Sequence, residues 1–198
     1  CVYIQHPNFY GSLEEAQEIG EIVHASGARY IMGVNPISLV VLKTPGEYGA
    51  DIAVGEGQPF GLDLAFGGPY LGFMACNAKL TRKLPGRIVG QTTDRSGRRG
   101  YVLTLQAREQ HIRREKASSN VCSNQALCAL AVGVYLSAMG KEGLKCMAVQ
   151  CMSKAHYMAG ELEKSGFEIE NGGEYFHEFV TVSEKPSEKV LAVLEAKG

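Results

Sequence analysis

Apolar positions in the first half of the chain alternate between two spacings, short β-type runs and one helical stretch. "VYIQHP" (2–7) is a β-rich run closed by proline. Next, Leu13, Ala16, Gly20 and Val23 fall on one helical face, with Ile19 and Ile22 beside it and Glu14, Glu18 and Glu21 largely opposite. Ser12 stands three residues before Glu15 as a capping box, and Gly27 is a stop signal, so the spacing predicts a helix from Leu13 to Gly27. "ARYIMGVNP" (28–36) is mostly apolar, as a strand covered on both faces of a parallel sheet would be. "ADIAVGE" (50–56) and "YLGFMAC" (70–76) predict two more strands. Strand, helix and strand with short joints predict an α/β sheet with right-handed crossovers.

The texture changes after Cys76. "AKLTRKLPG" predicts a short helix ended by Pro85-Gly86, and 91–106 a hairpin turning at Ser96-Gly97. Ser119 or Asn120 caps an apolar helix through Met139, Gly140 breaks it, and an amphipathic helix runs from about Lys141 to Ser165. "FEIEN" and "EFVTV" predict strands around a glycine turn, with a helix from Ser187. Residues 1–139 thus form part of a large domain, and 140–198 the beginning of a smaller α+β domain.

Composition narrows the class. The longest apolar run, Cys128–Leu136, is far short of the roughly twenty residues a bilayer needs. No basic segment followed by an apolar one opens the chain as a signal peptide would. The chain starts inside a strand pattern and ends inside a helical one, which suggests a piece of a longer polypeptide. Six cysteines make no CxxC pair and five histidines are scattered, so no zinc pattern forms. The expectation is reduced, mostly buried cysteines in a cytoplasmic protein.

Charge is where the chain departs from the ordinary. The net is −1, yet Lys79 to Lys116 holds eleven basic and three acidic residues, against nine basic and eighteen acidic elsewhere. A nucleic-acid surface mixes cations with aromatic rings, and Tyr101 is the single aromatic in this stretch. A solvated charged face and an anion site stay open. The anion reading draws on Lys116, Ser118, Ser119 and Asn120, which precede a helix where hydroxyls and free N–H groups can meet a phosphate. The glycine-rich stretch 55–73 is neither a P-loop nor a dinucleotide fingerprint; by spacing alone it is a compact loop around a strand end.

"NPISLVVLKTPGEYGADIAVGEGQPFG", "FGGPYLGF" and "LPGRIVGQTTDRSGRRGYVLTLQAREQHIRREKASSN" together resemble the P-protein of the glycine cleavage system, and within it the subunit 1 (alpha chain) type, over nearly the whole chain. The resemblance implies the α/β, pyridoxal phosphate (PLP)-dependent transferase fold type I and the oxidative decarboxylation of glycine. It also implies transfer of the aminomethyl group to the lipoyl arm of H-protein. In this fold the PLP lysine follows a strand before a glycine-rich turn, and an Asp ends the preceding strand. Here the matching positions read Gly57-Gln58-Pro59-Phe60-Gly61, without lysine, and Asn35. The cofactor is therefore expected on a partner beta chain (subunit 2). Ser118, Ser119 and Asn120 would then contact that partner's PLP phosphate, with Arg108, His111, Arg113, Arg114 and Lys116 at the entrance and Gly67, Gly68 and Pro69 in the channel or interface. No nucleic acid or membrane is expected as a partner. Two alternatives remain at this point: a stand-alone enzyme of this fold related to the cysteine desulfurases, and a module binding RNA or anionic surfaces.

Overall fold

The structure is a computed structural model and describes residues 1–86, 88–105, 110–117, 125–170 and 173–198. Strand β1 (Val2–His6) leads through helix α1 (Ala16–Ala25) to β2 (Tyr30–Val34), and β3 (Ile52–Glu56) and β4 (Gly72–Cys76) complete one four-stranded sheet in chain order. β1, β2 and β3 run parallel. β4 is antiparallel to β3, because the segment 57–71 between them is a loop and not a crossover helix.

The apolar face of α1 is the one the spacing predicts. Ala16, Gly20 and Val23 are buried and pack on Tyr30, Met32 and Val34 of β2. Ile22 differs: it is 63% exposed, on the outer face with Glu18 and Glu21. The capping box also does not form. The backbone at Ser12 and Leu13 is committed elsewhere, Ser12 bridging to Tyr175 and the Leu13 amide donating to the Glu174 carbonyl. The helix therefore begins three residues late, at Ala16, with Glu15 at its N-cap and no side-chain cap.

Only one face of the sheet carries a helix among the described residues. By the two-residue alternation and the register, Tyr3, Ile31, Ile52, Val54 and Met74 share the opposite face. Tyr3 is 57% and Met74 46% exposed there. The cysteines follow suit. Among the described residues Cys76, Cys128 and Cys151 are half-buried and Cys1 and Cys146 exposed, all five free, so for these the expectation of mostly buried cysteines is not met; Cys122 lies outside the described residues.

A carboxylate ties the elements together at the end of the sheet where β2 begins. Asp51 is 5% exposed and accepts from the Tyr30 amide at 3.1 Å, Arg29 at 3.0 Å and Asn77 Nδ2 at 2.8 Å, with His24 Nε2 at 3.3 Å. Those partners come from α1, the head of β2 and the end of β4.

Beyond β4, the short helix the sequence predicts is present as a 3-10 helix, Ala78–Lys83. The hairpin is longer at its base than the pattern predicts, β5 (Ile88–Thr93) pairing with β6 (Arg99–Thr104). Asp94 organises its turn, its carboxylate accepting from the Ser96 and Arg98 amides, with Gly97 at φ +77°. After the short helix α2 (Gln110–Arg113) and a 3-10 turn (Arg114–Lys116) comes the long helix α3 (Ala126–Lys164). Gly140 interrupts α3 (φ 59°, ψ −174°), at the residue the pattern marks as a break.

By length and composition α3 is apolar enough to cross a membrane. Its apolar half before Gly140 is, however, too short for the roughly twenty residues a span needs, and Lys141, Glu142 and Lys145 open the second half. That second half packs Ala148, with Met147 and Met152, against Ile37 and Phe176 in a second core. β7 (Glu168–Ile169), β8 (Thr181–Val182) and α4 (Ser187–Glu195) end the chain, the last two strands shorter than expected.

Two changes test this packing in the complete subunit. A Cβ at Gly20 would lie 2.9 Å from the Tyr48 carbonyl and 3.0 Å from the Tyr30 ring, so Gly20→Val is expected to cost about 1–3 kcal/mol in urea unfolding. Asp51→Asn is expected to cost about 2–4 kcal/mol by the same measurement. Burial opposes the Asp51 charge, but the Tyr30 amide, His24 and Arg29 outweigh it and hold the carboxyl below its usual range. Its contribution is complete above the ordinary aspartate pKa and is lost as pH falls through the lowered folded value. The variant's stability should accordingly fall less steeply below about pH 4 than that of the parent.

Candidate functional site

In open α/β sheets, ligands meet the protein beyond the carboxyl ends of the parallel strands. Here a cleft of about 340 Å³ opens at that end, lined from β1, β2 and β3 and closed on one side by His177 and Glu178. The last two arrive from far along the chain. Residues 174–178 are threaded back against the large unit by the Leu13–Glu174 hydrogen bond, the Ser12–Tyr175 bridge and Phe176, which is 1% exposed in the second core.

Asn35 is the hub of the cleft, just past the end of β2. Its Oδ1 accepts the Ile37 amide at 3.0 Å, and its carbonyl accepts the Ser38 hydroxyl at 2.8 Å. The amide Nδ2 is left to donate, and it faces His177 Nε2 at 3.4 Å. That assigns Nε2 as acceptor and places the ring proton on Nδ1, which is buried without a partner among the described residues. His6, at the end of β1, takes the Glu14 amide on Nδ1 at 3.2 Å and meets the Tyr48 ring edge-on. Burial lowers its pKa more than Glu14 raises it, so this ring stays neutral.

The donor set defines what the cleft can do. Glu56 and Glu178 are its carboxylic acids, Gln5, Asn35 and Gln58 its amides, and among the described residues no lysine, arginine, serine, threonine or cysteine lines it. Glu56 Oε1 is held by the amides of Gln58 (3.0 Å) and Leu71 (2.6 Å), which ties the glycine-rich loop to the sheet. PLP held covalently does not fit these residues. No amine lines it among the described residues, the residue just past the end of β2 is a neutral amide, and the two carboxylates of the lining disfavour a phosphate. The arrangement can bind and orient polar groups.

Those of the contact residues singled out in the sequence that the structure describes do not line this cleft. Gly67, Gly68 and Pro69 lie in the exposed loop between β3 and β4, where the Pro69 carbonyl accepts from Cys128 Sγ at 3.7 Å. His111, Arg113, Arg114 and Lys116 are exposed on the short helical segment 110–116, with Arg114 in the left-handed region at φ +51°. Arg108, Ser118, Ser119 and Asn120 lie outside the described residues. Asn35, Gln58 and Pro59, which the resemblance matches to the cofactor position, do line this one cleft together. Sequence reasoning passed over Tyr3, Gln5, His177 and Glu178; the signal for His177 was its place ahead of an apolar run, a weak one.

Comparison with known proteins follows the same line. The sequence profile of the glycine cleavage system P-protein matches residues 1–198. A probable glycine dehydrogenase (decarboxylating) subunit 1 from Desulfitobacterium hafniense is 60% identical over 195 residues, covering 98% of this chain and 44% of that protein. Its counterpart from Shouchella clausii is 55% identical over 198 residues, covering 100% of this chain and 44% of the relative. The chain thus spans less than half the length of these curated relatives.

Among solved structures, glycine decarboxylase (P-protein) of the glycine cleavage system, in inhibitor-bound form, superposes with a TM-score of 0.93 at 46% identity, over 99% of this chain and 45% of that one. The cysteine desulfurase from Thermococcus onnurineus NA1 superposes at 0.55 with 17% identity, a likeness of fold alone. The architecture is that of the PLP-dependent transferases of fold type I, with a mainly parallel sheet. From a profile match along its whole length, close relatives and a superposable solved structure, the chain belongs to the glycine cleavage system P-protein family.

Proposed function

We propose that this chain is part of subunit 1 of a glycine dehydrogenase (decarboxylating) that works only with a second, PLP-bearing subunit. The observation that supports the proposal is the cleft at the carboxyl ends of the strands, where the described lining has two carboxylates and no lysine. PLP bound on the partner supplies the electron sink for glycine decarboxylation. This chain supports that site and the passage of the aminomethyl group to the lipoyl arm of H-protein.

In this reading Ser118, Ser119 and Asn120 reach the partner's phosphate. The cationic run Arg108, His111, Arg113, Arg114 and Lys116 receives carboxylate-bearing partners at the entrance, beside the loop Gly67, Gly68 and Pro69. Exposure of His111, Arg113, Arg114 and Lys116 supports their availability to another chain. The break at Gly140 is the boundary between the large unit and the start of the small one. The compartment is the cytoplasm. The stand-alone desulfurase-like alternative draws on a likeness of fold only.

The test is PLP addition to the purified complete subunit, borohydride reduction and peptide mass mapping, followed by reconstitution with the partner subunit and lipoylated H-protein. Expected are no labelled lysine within this sequence and glycine decarboxylation only when both subunits are present. A stoichiometric adduct on one of its lysines would show that this chain catalyses by itself.

A further inference from the structure

Between β1 and α1 the chain closes a turn on itself. Asn8 Oδ1 accepts the Tyr10 and Ser12 amides at 2.9 and 3.1 Å, and Asn8 Nδ2 donates to Glu14 Oε1 at 2.7 Å. The strap so formed, residues 8–14, meets the second wall of the cleft at three points. Two are the Ser12 bridge to Tyr175 and the Leu13 amide on the Glu174 carbonyl at 2.8 Å. The third is Gly11, at φ +87°, where a Cβ would run into the Glu178 carbonyl. His177 and Glu178, which close the cleft on that side, therefore stand where the strap holds them.

A buried side chain fastens the strap to the sheet. His6, 3% exposed at the end of β1, accepts the Glu14 amide on Nδ1 at 3.2 Å. A neutral imidazole that accepts on Nδ1 carries its proton on Nε2, and that nitrogen is buried without a partner among the described residues. The charged and titratable groups facing the ring, among the described residues, are Glu14 and Tyr48. Tyr48 meets it edge-on with 5.3 Å between centroids, and Lys43 Nζ lies 5.7 Å from that same tyrosine ring. Burial, which opposes an imidazolium, outweighs Glu14, which favours one. Protonation of Nδ1 turns the acceptor into an N–H facing the Glu14 N–H, so the fastening and the charge exclude each other.

We propose that His6 is an acid-sensitive latch on the cleft. Its neutral imidazole holds the strap, and through it residues 174–178, against the sheet. A proton from solvent on Nδ1 releases the strap, and the wall swings on Phe176, which stays seated beside Ile37 and Ala148. Every contact in the latch lies within this chain and around a buried ring, so it works the same way whatever fills the cleft. The sheet outlasts the latch, because the Asp51 carboxyl that ties it keeps its charge to a lower pH. Opening is least above about pH 6.5, the ordinary histidine value, and grows as pH falls from there through the lowered value of the closed state. The growth is at most about tenfold per pH unit, as one proton requires.

The test is hydrogen exchange by mass spectrometry on the complete subunit, read residue by residue at about pH 7.5 and 5.5 and corrected for the intrinsic pH dependence of exchange. The Leu13 amide marks the wall contact and the Glu14 amide the latch. Their protection is expected to fall together by about three- to tenfold at the lower pH, while that of β2 holds. His6→Asn puts a carboxamide oxygen, which does not titrate, in place of Nδ1, and both amides should then stay within about twofold. Exchange at the imidazole C2 carbon of the parent decides without any substitution: His6 is expected to titrate below about 6.5. A response that survives in His6→Asn would belong to His156, which meets the Tyr175 carbonyl, or to His177. That result, an unchanged Leu13 amide, a loss shared by β2, or a His6 midpoint at or above the ordinary value each overturns the latch.

Discussion

The Asp51 carboxylate is the constraint on which the sheet depends. It lies at the junction of four elements, and its oxygens are shared among one backbone amide, one guanidinium, one carboxamide and one imidazole. A buried carboxylate without such partners is costly, so each partner is drawn to its place as the charge is buried. Arg29 and the Tyr30 amide fix where β2 begins, Asn77 where β4 ends, and His24 the roll of α1 over the sheet. The register of β2 against β3 follows, because the Asp51 amide donates back to the Tyr30 carbonyl at 2.8 Å.

The two ends of the sheet are built for opposite tasks. One is closed by ionic hydrogen bonds around Asp51. The other opens into the cleft, whose lining is polar but not cationic. The sequence's positive charge is concentrated instead between Lys79 and Lys116, after the last strand of the sheet. Such a separation gives the chain two regions of different electrostatic character. A phosphate approaching the cleft would meet Glu56 and Glu178; approaching the flank, it would meet Arg95, Arg98 and Arg114.

Much of this was legible beforehand because local rules and tertiary packing agree over residues 1–76. Apolar spacing located β1, α1, β2, β3 and β4 to within a few residues, and Gly140 announced its own break. Failures came where a distant segment overrode a local signal. Ser12 and Glu15 have the spacing of a capping box, but Glu174 and Tyr175 claim the backbone at 12 and 13. The same return of the chain brought His177 to Asn35, a contact across 142 residues that no periodicity reveals. Cysteine burial was overestimated because apolar character predicts burial only where a covering element exists, and Cys146 stays exposed and Cys76 only half-buried.

That long return of residues 174–178 also sets an order of assembly. The parallel strands and α1 are joined by contacts close in sequence, so they can form early, whereas the cleft wall requires closure of a loop across 142 residues. Within this stretch the sheet leaves the ribosome before residues 174–178 do, and the cleft acquires its second wall only when Phe176 has docked beside Ile37 and Ala148. A ligand that needs both walls therefore cannot guide the folding of the sheet that supports it.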